Sequence, residues 1–154
     1  MSTEDILNFH RVDERIITGG QPTEAQLAAA AEEGVQVVIN LATLDPRYSL
    51  DDEGGLVSGL GLEYHHIPVD WEKPLESDFE AFAGLMRQAG AKRVLIHCAA
   101  NYRVTAFYAL YGMRALGWSE DQADRFRAVI WRTRQYPIWD EYIHRMKAKI
   151  TAHA

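Results

Sequence analysis

The stretch RVLIHCAANYRVT, Arg93–Thr105, decides how the rest of the chain is read. RVLIH is a short apolar run with the pattern of a buried strand. From Arg103 to Leu116 the chain is apolar almost all round, which implies a buried central helix. Between the two stands Cys98, the only cysteine, with Arg103 five positions later. Loop N–H groups and a helix N-terminus favour a thiolate over a thiol, and favour a bound oxyanion for the same reason. Arg103 adds a planar pair of donors for two oxygens of that anion. Asn101 suits a loop that turns through positive φ. Thr105 stands where a hydroxyl could bond the thiolate, and His97 where a ring could hold the loop through its backbone.

Outward from this stretch the chain alternates strand-like and helix-like segments. Val35–Ala42 and Leu62–Val69 read as two further strands. Thr23 with Gln26, Ser77 with Glu80 and Ser119 with Gln122 have the spacing of capping boxes that open helices. Gly34 and Gly90 are placed to end two of them. A short helix is expected near Glu53–Leu60, and Pro137 opens the last helix. Gly19 and Gly20 lack a nucleotide-loop frame and read as turn chemistry. The expectation is an α/β fold, a central and mostly parallel sheet flanked by helices, with a helical C-terminal half. Ligands of such sheets bind beyond the carboxyl ends of the strands, where Cys98 and Asp70 fall.

With 154 residues, 47% hydrophobic and 25% charged, residues 1–154 are expected to form a single domain. A net charge of −6 argues against nucleic-acid partners and against adhesion to acidic membranes. No run reaches membrane-spanning length, and MSTEDILNFHRVDER has no signal-peptide core. A single cysteine points to a reducing, cytoplasmic location. No His, Cys, Asp or Glu spacing resembles a metal site, and no cofactor is implied. His65 and His66 would face opposite ways on a strand and are read as structural. The oligomeric state is left open.

HCAANYR, together with VINLA, TGGQPTEAQL and YHHIPVDWEKP upstream, resembles a bacterial phosphatase family related to the protein tyrosine and dual-specificity phosphatases. Some relatives of this module are described as sulfur transferases. The resemblance covers roughly Phe9 to Tyr111. It implies a protein-tyrosine-phosphatase-like fold and a hydrolase acting on a phosphorylated protein or small molecule. It also implies Cys98 as nucleophile, Arg103 as phosphoryl-binding group and Asp70 as acid to the leaving oxygen. Ala99, Ala100, Asn101 and Tyr102 would complete the phosphate-binding loop. Asp70 lies 28 residues before the cysteine, with Glu72 as the reserve acid in the same loop.

The sequence departs from the family in one respect. The cysteine phosphatases space the pair as C-x5-R, whereas this loop is C-x4-R. One residue at a helix start rotates a side chain by about 100°. The five-residue loop is also the length seen in rhodanese-like enzymes, so sulfur transfer through a Cys98 persulfide is a second expectation. A phosphate- or anion-binding module without turnover is the third. Trp71 and Tyr102 are expected to flank the pocket.

Overall fold

The computed structural model describes residues 2–152. Five strands form one sheet: β1 (His10–Arg11), β2 (Ile16–Gly19), β3 (Val37–Asn40), β4 (Glu63–His66) and β5 (Val94–His97). Their spatial order is β1-β2-β5-β3-β4, with only the β1–β2 pair antiparallel. The helices are α1 (Glu24–Glu32), α2 (Glu53–Gly59), α3 (Glu76–Ala89), α4 (Tyr102–Ala115), α5 (Glu120–Trp131) and α6 (Pro137–Ala152). The expected mixed α/β architecture is therefore the one observed.

Alternation along the strands explains why both faces are covered. Ile16, Val37, Ile39, Val94 and Ile96 point to one side, where they meet α3, α4, α5 and α6 through Phe79, Phe82, Phe107, Trp131 and Trp139. Ile17, Val38 and Leu95 point to the other side, against Leu27 and Ala30 of α1 and Val57 of α2. With no polar face to present, the central strands read as unbroken apolar runs. Each fully buried large side chain contributes about 1.5–3 kcal/mol of transfer free energy.

Local signals set most boundaries. The Thr23–Gln26 and Ser119–Gln122 boxes form with both reciprocal bonds. Gly34 (φ 96°) and Gly90 (φ 57°) carry the left-handed residues that end α1 and α3.

Several expectations need correction. α3 begins at Glu76, not after a Ser77 cap, and Leu75 is its N-cap. A leucine side chain has no oxygen to offer, so only the reverse half of a capping box forms, Leu75 N–H to Asp78 Oδ2 at 3.0 Å. The Leu75 carbonyl is held from α6 by the Tyr142 hydroxyl at 2.8 Å, which fixes the entry point. The strands around Val35–Ala42 and Leu62–Val69 shrink to four residues each. Gly19 ends β2 and is not part of a turn. A Cβ at Gly20 would lie 2.5 Å from the Ala99 carbonyl, so that glycine is there for close approach of the cysteine loop.

Candidate functional site

The register brings four strand ends level. Gly19 and Asn40 both pair with His97, and Asn40 also pairs with His66. Cys98 therefore emerges at the carboxyl edge of the sheet, with β2 on one side and β3 on the other. Its N–H reaches the Gly19 carbonyl at 3.3 Å, and Ala99 accepts from Gln21 N–H at 2.9 Å. Cys98 is 1% exposed. The chain then reverses through Asn101, at φ 71°, into α4. The expected left-handed loop residue is thus present, and no side chain caps the first turn of α4. Those N–H groups point out of the helix end beside the cysteine loop.

The Asn101 side chain does something other than face an anion. Its amide donates to the Asn8 carbonyl at 2.8 Å and to Thr18 Oγ1 at 3.0 Å. The Asn8 amide returns a bond to the Ala100 carbonyl at 3.0 Å. Together they stitch the loop to the N-terminal segment. Thr105 is also elsewhere engaged. Its hydroxyl donates to the Asn101 carbonyl at 2.7 Å and accepts from the Trp131 indole N–H at 3.2 Å. A threonine has one hydroxyl proton, so the expected bond to the Cys98 sulfur is not made.

Arg103 is 6% exposed. Its Nη1 donates to the Val69 carbonyl at 2.9 Å and lies 3.5 Å from Thr43 Oγ1, and its Nη2 lies 3.5 Å from the Tyr48 hydroxyl. None of these partners belongs to the cysteine loop. The guanidinium lies toward the segments that follow β3 and β4. Among the described residues no carboxylate pairs with it. A buried cation without a counter-ion is costly, and here only a carbonyl and two distant hydroxyls offset the cost.

Asp70 and Glu72 follow β4 and are exposed. Asp70 Oδ1 accepts from Glu72 N–H at 2.9 Å, a turn within the loop. The loop is less free than its composition suggests. The Trp139 indole of α6 donates to the Trp71 carbonyl at 2.8 Å, just after Asp70. Trp71 and Tyr102 do stand together, ring centroids 6.3 Å apart. Beside them Trp131, Tyr136 and Trp139 extend one aromatic cluster. The expected reading of His65 and His66 as structural agrees with their contacts, a Glu63 carboxylate and the Ala42 carbonyl. No group of three or more His, Cys, Asp or Glu side chains fit to hold a metal ion occurs among the described residues.

The sequence reading missed Glu53. His97 is fully buried, with Nδ1 3.2 Å from the Cys98 carbonyl and Nε2 2.6 Å from Glu53 Oε2. Gln21 Nε2 donates to the other Glu53 oxygen at 2.7 Å. Both imidazole nitrogens lie within hydrogen-bond reach of oxygen atoms. Burial pulls the Glu53 carboxyl upward, but the His97 bond and charge, with Gln21, outweigh it and hold the group below its ordinary value. A depressed carboxyl contributes stability that is complete above its unfolded value and is lost as pH falls through the folded one. Glu53→Gln is expected to cost about 1.5–3 kcal/mol near neutrality, the range for a hydrogen bond to a charged group. It should also flatten the loss of stability below about pH 4.5, which denaturant titration across that range would read. An unchanged acid limb would show that the pair does not couple to folding.

No family model matches the chain. PTPMT1 in complex with PI(5)P superimposes with a TM-score of 0.76 at 22% identity, over 95% of this chain and 98% of that one. At that identity the likeness is one of fold, and the class it defines is the protein-tyrosine- and dual-specificity-phosphatase-like fold. A DUF442 protein from Shewanella putrefaciens CN-32, described as a candidate phosphatase, is 34% identical. The match covers 96% of this chain and 95% of that one, with a TM-score of 0.85. The chain belongs to this DUF442 family. A curated relative, the "Beta-lactamase hydrolase-like protein" of Xylella fastidiosa, is 29% identical over 137 residues, 80% of this chain. The match spans about a third of that relative's length, 31%. No helix among the described residues is long and apolar enough to cross a membrane.

Proposed function

We propose that residues 1–154 form one cytoplasmic cysteine-phosphatase-like domain that hydrolyses a phosphate monoester without a metal. The Cys98 thiolate attacks phosphorus, the P–S bond forms, and the P–O bond to the leaving group breaks. Asp70 gives its proton to the departing oxygen. Water then attacks the thiophosphate, orthophosphate leaves, and the thiolate returns with a proton held by Asp70. Arg103 and the open N–H groups at the start of α4 carry the charge of the equatorial oxygens. Asp70 is preferred to Glu72 because it directly follows Val69, whose carbonyl Arg103 holds.

The observation that carries this reading is the buried Arg103 guanidinium, which pairs with no carboxylate among the described residues and stands four residues past the cysteine loop's first alanine. A bound phosphate supplies the missing counter-ion. The deciding experiment is rapid quenching in acid during turnover of an aryl phosphate, followed by intact and peptide mass analysis. A phosphoryl group on the Cys98 peptide is expected. Release of phosphate without a phosphorylated Cys98 would overturn the mechanism. No release, with gain of one sulfur atom from thiosulfate, would replace it with sulfur transfer through a persulfide.

A further inference from the structure

In a protein of net charge −6, the segment RFRAVIWRTR, 125–134, holds four arginines and no acid. Three of them, Arg127, Arg132 and Arg134, line a surface cavity of about 180 Å3 at the end of α5. Two carboxylates share that wall, Asp124 and Asp140. Asp124 is already held by Lys147 at 2.6 Å, which leaves the cavity net positive. None of the three arginines is ion-paired among the described residues.

Two of these cations are ordered by aromatic rings rather than by acids. The Arg127 guanidinium lies 4.9 Å from the Trp131 ring centroid. The Arg134 guanidinium lies 5.8 Å from the Tyr102 centroid and also bonds the Tyr102 hydroxyl. Trp131 and Tyr102 stack on each other at 5.2 Å. A cation over a ring keeps edge donors for a ligand while losing side-chain freedom in advance, and Arg134 gives up only its Nη1 donor to Tyr102. Tyr102 is the residue before Arg103, so this cluster stands one side chain away from the cysteine loop.

Arg132 adds an independent mark. It is the C-cap of α5 at φ 56°, ψ −123°, a backbone conformation that glycine adopts freely and arginine does not. Nothing in its hydrogen bonding requires an arginine: among the described residues the one bond the position makes is its N–H to the Ala128 carbonyl at 2.7 Å. A strained residue whose side chain has no polar partner among the described residues, at the rim of a positive cavity, fits a ligand better than it fits the fold.

We infer that Arg127, Arg132 and Arg134 form a subsite for a second anionic group of the substrate, so that the protein prefers a doubly phosphorylated molecule to a monophosphate. The ligand chemistry is two phosphates held on either side of Tyr102, one at the cysteine loop and one at the α5–α6 turn. The inference rests on the phosphatase reading of the cysteine loop.

The test uses the full chain carrying Cys98→Ser, so that ligands are bound and not consumed, with and without Arg132→Gly. Calorimetry compares fructose bisphosphate with fructose monophosphate and with orthophosphate. Flotation compares phosphatidylcholine vesicles with and without a bisphosphorylated phosphatidylinositol. Charge-assisted bonds to a second phosphate predict a preference of about tenfold or more for the bisphosphate. Arg132→Gly should erase most of that preference while leaving the melting temperature equal or higher, because glycine relieves the backbone. A preference in the soluble arm names a free ester as the source of the ligand; one in the vesicle arm alone names a headgroup. Equal affinity for one and two phosphates in both arms, or a preference that survives Arg132→Gly, overturns the subsite alone. Absence of orthophosphate binding to the parent protein overturns the cysteine-loop reading and the subsite with it.

Discussion

Cys98→Ser is expected to erase turnover of an aryl phosphate yet keep the stabilisation by orthophosphate, whereas Arg103→Met is expected to lower both. Serine preserves the shape of the loop and the donors around it, and removes only the sulfur that forms the covalent bond. Methionine preserves much of the volume of Arg103 and removes its charge. If the guanidinium meets the equatorial oxygens, the loss in turnover should be about 10²–10³-fold or more, as for one removed donor at a developing charge.

The two variants part again on stability without ligand. Arg103 is a buried cation whose closest partner is a carbonyl, at 2.9 Å. Its removal strands the Val69 carbonyl, at a cost of about 1–3 kcal/mol. It also relieves the desolvation of an unpaired charge, which acts in the opposite direction with a similar size. The ligand-free melting temperature of Arg103→Met should therefore stay close to the parent's. Orthophosphate at a hundred times its dissociation constant should add about 2.7 kcal/mol to the parent and to Cys98→Ser, and little to Arg103→Met. Equal phosphate stabilisation of all three proteins would remove Arg103 from the anion site. It would leave Arg103 as a brace between the segments that follow β3 and β4.

How much of this could be read from the residues depends on the range of the interaction. RVLIHC announces a buried strand because β5 is covered on both faces, and its apolar run is continuous. The capping boxes of α1 and α5 are legible because both partners lie within one turn. The left-handed Asn101 is legible because few other side chains tolerate that backbone. What the chain alone does not disclose are contacts over long separations. Glu53 meets His97 across 44 residues, and no periodicity marks it. β1, at two residues, is too short to stand out, and β2 offers only Ile16 and Ile17 before Thr18 and Gly19; its place is set by pairing with β5, far away in the chain. The aim of Arg103 is a matter of one residue of helical phase. Spacing flagged the departure, but only the neighbouring Val69, Thr43 and Tyr48 show where the side chain goes. The anchoring of the Asp70 loop has no local mark because α6, which fixes it through Trp139 and Tyr142, lies 68 and 67 residues downstream of the carbonyls it holds.

Trp131→Ala is expected to be the most damaging single change outside the cysteine loop, and to act on the loop as well as on the core. Trp131 is 1% exposed and stacks against Tyr102, with Trp71, Tyr136 and Trp139 within ring contact. Its indole N–H donates to the Tyr102 carbonyl at 3.1 Å and to Thr105 Oγ1 at 3.2 Å, so the end of α5 clamps the first turn of α4. Truncation removes the packing and leaves a cavity, a change worth about 3–5 kcal/mol. Whole domains hold only about 5–15 kcal/mol, so a shift of that size is a large part of the total. Trp131→Phe separates the two roles. It keeps most of the aromatic contact and drops the N–H, which should cost about 1–2 kcal/mol through the lost hydrogen bond and the smaller ring. If the clamp matters to the site, the Phe variant should lose phosphate affinity out of proportion to its modest loss of stability, because Tyr102 and Arg103 are consecutive residues on that turn. Denaturant midpoints and orthophosphate titrations on the same samples would read both quantities. A Phe variant with reduced stability and unaltered phosphate affinity would confine Trp131 to the core and break the proposed link between α5 and the anion loop.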